Sequence, residues 1–170
     1  MPLRAQRVAA AVRRRLGFHQ PPANPAMLLA HAPIDVVVLD WPPELSGVLV
    51  MRPHGPVIGL NRRHSPERRH FSFWHEVGHY LIHRPRLPSG LLACPHPASP
   101  RTADLELERE ADIFAANVMM PADWVRRSHR RQSTLQALAR DFGVTPTAMM
   151  RRLRELGLRP VASTAAGGFR

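Results

Sequence analysis

Apolar residues recur at helical spacing through "LRAQRVAAAVRRRLG", residues 3–17, which predicts an amphipathic helix with Gly17 as its C-cap. "QPPANP" interrupts the pattern, and "AMLLAHA" supports one or two further helical turns. The period then changes. "IDVVVLD", residues 34–40, is a β-branched run that predicts a strand. "SGVLVMRPHGPVIGLN" predicts two short strands joined by a Pro/Gly turn, with Pro53 and Pro56 suited to an edge or a turn. Helical signals return at Ser65, a good N-cap, with Pro66 at the first helical position. That helix is expected to run through "HFSFWHEVGHYLIH" and to stop before Pro85. Residues 84–101 hold Pro85, Pro88, Pro95, Pro97 and Pro100 and read as an irregular loop. "ADLELEREADIFAANVMM" is a strong helical stretch stopped by Pro121. Two shorter helices follow, "STLQALARDFG" and "TPTAMMRRLRELG", and "VASTAAGGFR" reads as a disordered tail.

Length and composition narrow the class without changing these elements. A chain of 170 residues, 44% hydrophobic, has material for one ordinary domain with an appendage. No apolar run approaches the roughly 20 residues that span a bilayer. The basic N-terminal stretch has no apolar core after it, so it reads as a surface helix and not a signal peptide. The single cysteine, Cys94, excludes an internal disulfide framework and fits a reducing cytoplasm. The net charge is +11, and every basic side chain outside histidine is Arg. Such a surface attracts anionic partners. Here the arginines are scattered along the chain, often in pairs, which favours an ordinary solvated surface.

The chemistry concentrates in His75-Glu76-Val77-Gly78-His79. On a helix His75 and His79, four apart, share a face and direct two imidazoles at one ion. Zn2+ takes such ligands, and a catalytic site uses three protein ligands and one open position. Glu76, beside the first histidine, is placed to accept a proton from water that the ion acidifies. The third ligand separates the peptidase classes. A histidine six residues past His79 would signal a metzincin, but Pro85 stands there. "LEREAD", residues 107–112, offers carboxylates instead. Glu108 and Asp112 share a helix face, so Glu108 is favoured as ligand and Asp112 as hydrogen-bond acceptor for a ligand histidine. Glu110 lies about 200° round the helix from Glu108 and is the second choice. His83, four past His79, and Tyr80 are candidates for substrate or transition-state contact, set against packing in the core. Cys94 is a candidate inhibitory cap for the metal, set against a bystander thiol.

The chain resembles the ImmA/IrrE family of gluzincin-type metallopeptidases. The resemblance is carried by "ERRHFSFWHEVGHYLIH", "EREADIFAANVMMP", the upstream "SGVLV" and "PVIGLN", and "LARDFGVTPTAMMRRLRELGL". It departs at Trp74, where the family usually has a small residue. The resemblance implies His75, His79 and Glu108 as ligands and Glu76 as catalytic base, with Zn2+ as cofactor and Mn2+ open beside it. It also implies a helix-turn-helix transcriptional repressor as the protein substrate, cut so that repression is relieved. The expected fold is α+β, with a small, mostly antiparallel sheet packed on the active-site helix and on the third-ligand helix. Residues 1–125 form the peptidase domain in this reading, 126–158 a helix-turn-helix-like appendage packed on it, and 159–170 the tail. Arg151, Arg152 and Arg154 could meet phosphates, but packing or substrate docking of the last two helices is favoured over direct DNA contact. The competing class is a DNA-binding or toxin–antitoxin regulator with a structural or vestigial metal site.

Overall fold

The computed structural model describes residues 2–84, 91–95, 104–132 and 134–159. The fold is α+β, a small mixed sheet with helices packed on it.

The first helix, α1 (Pro2–Arg15), buries Ala5 and Ala9 four apart, with Val8 and Val12 alongside. Gly17, at φ 68°, ends it. The amide of Phe18 donates to the carbonyl of Arg13 at 2.9 Å and that of Gly17 to Arg14 at 3.3 Å, the paired bonds of a Schellman cap. A short α2 (Pro25–Leu29) begins at Asn24, whose side chain accepts from the Ala26 amide.

Strands β1 (Asp35–Leu39), β2 (Leu45–Arg52), β3 (Gly55–Asn61) and β4 (Leu91–Pro95) form one sheet in the order β1-β3-β2-β4. β2 and β3 make the expected hairpin, with Arg52 opposite Gly55 across the Pro53–His54 turn. β1 lies parallel to β3, and β4 runs antiparallel to β2. The buried carboxamide of Asn61 holds the segment before β2. Its nitrogen donates to the carbonyls of Pro42 at 2.8 Å and Leu45 at 2.7 Å. β4 corrects the expectation of an irregular loop over 84–101. Its backbone pairs with the outer edge of β2, which otherwise exposes a row of unpaired amides and carbonyls.

Helix α3 (Pro66–Gly78) starts as expected, with the Ser65 hydroxyl accepting from the Arg68 amide. It does not stay α-helical to Pro85. His79–His83 form a π turn that follows directly on α3. Gly78 marks the switch, because a Cβ there would stand 3.0 Å from the Phe114 ring and 3.2 Å from Ala111 Cα. Its bare backbone therefore lets α3 approach α4 (Asp104–Met119) closely. The chain closes with α5 (Ala122–His129), α6 (Leu135–Phe142) and α7 (Pro146–Glu155). Thr134 and Thr145 cap the last two, and Gly143 turns between them at φ 62°.

One hydrophobic cluster runs through these layers. Trp74, fully buried, lies at 5.3 Å from Phe73 and 6.0 Å from Phe18 in edge-to-face contact, and its Nε1 donates to the Ala23 carbonyl. The side chain that departs from the family's usual small residue is thus core. Trp124, Leu138, Phe142, Met149 and Leu153 belong to the same cluster, so the last three helices share the core of the rest. The expected boundary at 125/126 falls within α5. The tail from residue 160 lies outside the described residues. No helix among them is long and apolar enough to cross a membrane.

Candidate metal centre

Two packed helices build the site. α3 brings His75 and Glu76, the first residue of the π turn brings His79, and α4 lies against both with Glu108, Glu110 and Asp112 turned to the histidines. His75 Nε2 is 3.0 Å from Glu108 Oε2, His79 Nε2 is 3.3 Å from Glu108 Oε1, and the two Nε2 atoms are 3.1 Å apart. One ligand atom from each of the three residues lies within 4.8 Å of the other two. Glu110, the second choice, points elsewhere, as its phase on α4 requires.

Two imidazole nitrogens and a carboxylate converging on one point are a donor set suited to Zn2+. The groups behind them fit as well. His75 Nδ1 sits 3.0 Å from Asp112 Oδ1, so a proton on Nδ1 leaves the Nε2 lone pair facing Glu108 and His79. The same three residues could thus hold a metal ion.

The electrostatics describe the site when protons occupy it. Burial works to lower the pKa of His75, but hydrogen bonds to Asp112 and Glu108 outweigh it and raise the value to about 10. Burial works to raise Glu108, and its hydrogen bonds to His75 and His79 outweigh that and lower it to about 2. His79 is lowered, chiefly by burial, with the His75 and His83 charges adding to the effect. A proton on His75 between two carboxylates therefore takes the place a cation would fill, and an ion must displace it.

Glu76 is 1% exposed and packs against β2 at Gly47. A methyl group at Gly47 would overlap the Glu76 carboxylate, so this strand position must be glycine for Glu76 to keep its place. Sequence reasoning missed Gly47, because nothing local ties a strand glycine to a helix 29 positions later. Solvent reaches the cluster on the α4 side, where the Glu108 and Asp112 side chains are 29% and 37% exposed.

Both candidates for substrate contact take the packed alternative weighed against it. His83 is fully buried behind His79, with Nδ1 3.0 Å from His79 Nδ1 and Nε2 3.1 Å from Glu110 Oε2. It sits in the interior, between His79 and Glu110. Tyr80 packs against the core with the Arg84 guanidinium over its ring. The Cys94 backbone pairs with Gly47 in the sheet, and its side chain lies outside what the structure describes.

Of the three C-terminal arginines, Arg152 is turned inward. It is 7% exposed and donates to the Met120 carbonyl, Asn117 Oδ1 and the Glu155 carboxylate. It is a packing residue, which removes it from the set proposed to meet phosphates. Arg151 and Arg154 stay exposed, and Arg151 reaches to 4.0 Å from Asp112.

A comparison with curated proteins gives no match. A family model does match, the Peptidase_M78 family described as the IrrE N-terminal-like domain, over residues 30–154. That span runs from the end of α2 to the last turn of α7 and contains every residue of the cluster. The chain belongs to this peptidase family.

Proposed function

We propose that the protein is a zinc-dependent endopeptidase that hydrolyses a peptide bond in a protein substrate. The observation that supports this best is the convergence of His75 Nε2, His79 Nε2 and the Glu108 carboxylate within 4.8 Å. Buried Glu76 lies next to His75 in the chain. In this reading His75, His79 and Glu108 hold the ion, Zn2+ by donor type, with Mn2+ compatible. When bound, it supplies a Lewis acid that polarises a carbonyl and acidifies water.

The chain's own residues do the rest. Glu76 takes the proton from the attacking water and passes it to the leaving amine. Packing against Gly47 restricts where that carboxylate can swing. Asp112 holds the Nδ1 proton of His75 and keeps its Nε2 turned to the site. The exposed sides of Glu108 and Asp112 mark where substrate enters. By the family resemblance alone, the substrate is a helix-turn-helix repressor in the cytoplasm.

A DNA-binding or toxin–antitoxin regulator remains the competing class, and the burial of Arg152 weakens its DNA-binding form. Incubating the Zn2+-loaded protein with a repressor encoded beside it separates the two. Wild type is expected to cut, and Glu76→Gln to keep the ion while losing on the order of 10²–10⁴ in rate. Undiminished cleavage by Glu76→Gln refutes the mechanism. No cleavage by either, with duplex DNA binding that falls steeply with salt, establishes the regulator.

A further inference from the structure

We propose that His83 and Glu110 are positioning residues for His79: together they select its tautomer and ring orientation, and so set how tightly the site holds its ion. The proposal rests on the metal-centre reading above.

The direction of each hydrogen bond follows from one condition. His79 faces the cluster through Nε2. For that nitrogen to offer a lone pair, the single proton of a neutral imidazole must sit on Nδ1. His79 Nδ1 is 3.0 Å from His83 Nδ1, which must then accept. A neutral His83 that accepts at Nδ1 carries its own proton on Nε2. That atom is 3.1 Å from Glu110 Oε2, an acceptor. One arrangement of protons therefore satisfies both contacts and leaves the His79 lone pair aimed at the site. Reversing it puts a proton on His79 Nε2 and sets the bare Nε2 of His83 against the lone pairs of Glu110. Glu110 thus chooses between the two through His83.

Burial gives the choice its force. His79 and His83 are fully buried and Glu110 is 6% exposed, so water cannot readily stand in for a lost partner. The π turn places the His83 ring 5.0 Å from that of His79, continuing the ladder that begins with His75 at 4.8 Å. Each ligand histidine then has its own carboxylate from α4. Asp112 acts directly on His75, and Glu110 acts on His79 through one more imidazole.

A pair that only ties α4 to the π turn would alter stability and leave affinity for the ion unchanged. The test therefore measures Zn2+ affinity by chelator competition, melting of the metal-free protein, and ring tautomers by long-range ¹H–¹⁵N NMR. His83→Phe fills the space with neither donor nor acceptor and is expected to lose about 10–100-fold in affinity. In its spectrum His79 should no longer hold a single Nδ1–H form. His83→Gln can accept from His79 through its amide oxygen and donate to Glu110 through its amide nitrogen, so it should stay within about threefold of wild type. Glu110→Gln presents either face to His83, loses the selection and should weaken binding about tenfold. Wild-type affinity in both His83→Phe and Glu110→Gln overturns the proposal, whatever their melting temperatures. If His83→Phe does not fold, Glu110→Gln against His83→Gln decides alone, and equal affinities overturn it. His79→Ala tells the two failures apart. If it binds Zn2+ like wild type, the metal-centre reading falls and takes this proposal with it. If it loses the ion while the His83 and Glu110 variants do not, only this proposal falls.

Discussion

The two ends of α4 both bury polar groups, and they do so for different ends. In the N-terminal half, Glu108, Glu110 and Asp112 meet the ring nitrogens of three histidines. At and just past the C-terminal end, the Asn117 side chain and the Met120 carbonyl receive the buried guanidinium of Arg152, and Arg13 donates to the Asn117 carbonyl from α1. Both regions give each of these side chains a hydrogen-bond partner, as burial demands, although Glu110 Oε1 has none of its own. They differ in what the partner can give up. A ring nitrogen can exchange its proton for an ion, whereas a guanidinium offers only donors. Buried charge becomes a site at one end of the helix and a joint at the other.

The largest effect should come from removing the carboxylate shared by both ligand histidines. Glu108→Ala is expected to weaken Zn2+ binding well beyond the roughly 10–100-fold expected for losing an outer partner, as in Asp112→Asn. Isothermal titration of the two variants checks the order. Equal losses would mean that Glu108 only supports the histidines, and the two halves of α4 would then differ less than their geometry implies.

At the other end, Arg152→Met should act on folding and not on the ion. It strips a donor from a buried carbonyl, costing about 1–3 kcal/mol, and another from a half-buried carboxamide oxygen, costing about 1 kcal/mol. A loss of about 2–4 kcal/mol corresponds to a fall of roughly 4–16 °C in Tm for a chain of this size. Scanning calorimetry measures the fall, and Zn2+ affinity of the folded variant should match wild type. A changed affinity would show that the joint also shapes the site.

How much of this was legible beforehand depends on how local the signal is. That His75 and His79 share a face follows from four-residue spacing, which survives the change to a π turn at His79. The choice of Glu108 over Glu110 needed only helical phase, and the two do point to different partners. What the sequence hid depends on neighbours far along the chain. For His83 the sequence left cleft and core open, and only the packing of α4 supplies Glu110 as its partner. Arg152 falls on an expected apolar position of α7, which hinted at packing, but no local pattern says that its guanidinium meets Asn117. β4 disappeared among prolines because what defines it is the open edge of β2.

A smaller, pH-dependent effect separates the halves again. In the metal-free protein His75 has its folded pKa raised to about 10 from the ordinary 6.5, so its contribution is complete below 6.5 and is lost as pH rises through 10. Glu108 is lowered to about 2 from 4.5, so its contribution is complete above 4.5 and is lost as pH falls through 2. The metal-free protein should therefore gain most from this pair between pH 4.5 and 6.5. As pH rises toward 10, stabilisation by added Zn2+ should grow, because fewer protons compete for His75. Melting curves with and without Zn2+ give both limbs, and Glu108→Gln should flatten them. Unaltered limbs in Glu108→Gln would mean that other groups govern the pH dependence.

The smallest effect tests whether the two regions communicate at all. Arg151 is the one described residue of α7 within ion-pair range of the cluster's supporting carboxylate, at 4.0 Å from Asp112 Oδ2. It is 71% exposed and is also engaged by Glu155 at 3.2 Å on its own helix. An exposed pair of that length contributes about 0–1 kcal/mol and is screened by salt. Asp112 already has its working contact through Oδ1 to His75, so losing Arg151 takes nothing from the ring it steadies. Arg151→Ala should therefore change Zn2+ affinity by less than about fivefold, the ratio that corresponds to 1 kcal/mol, and the difference should vanish in high salt. A larger, salt-resistant loss would make α7 part of the centre's support, and whatever docks on its exposed arginines would then be felt at His75.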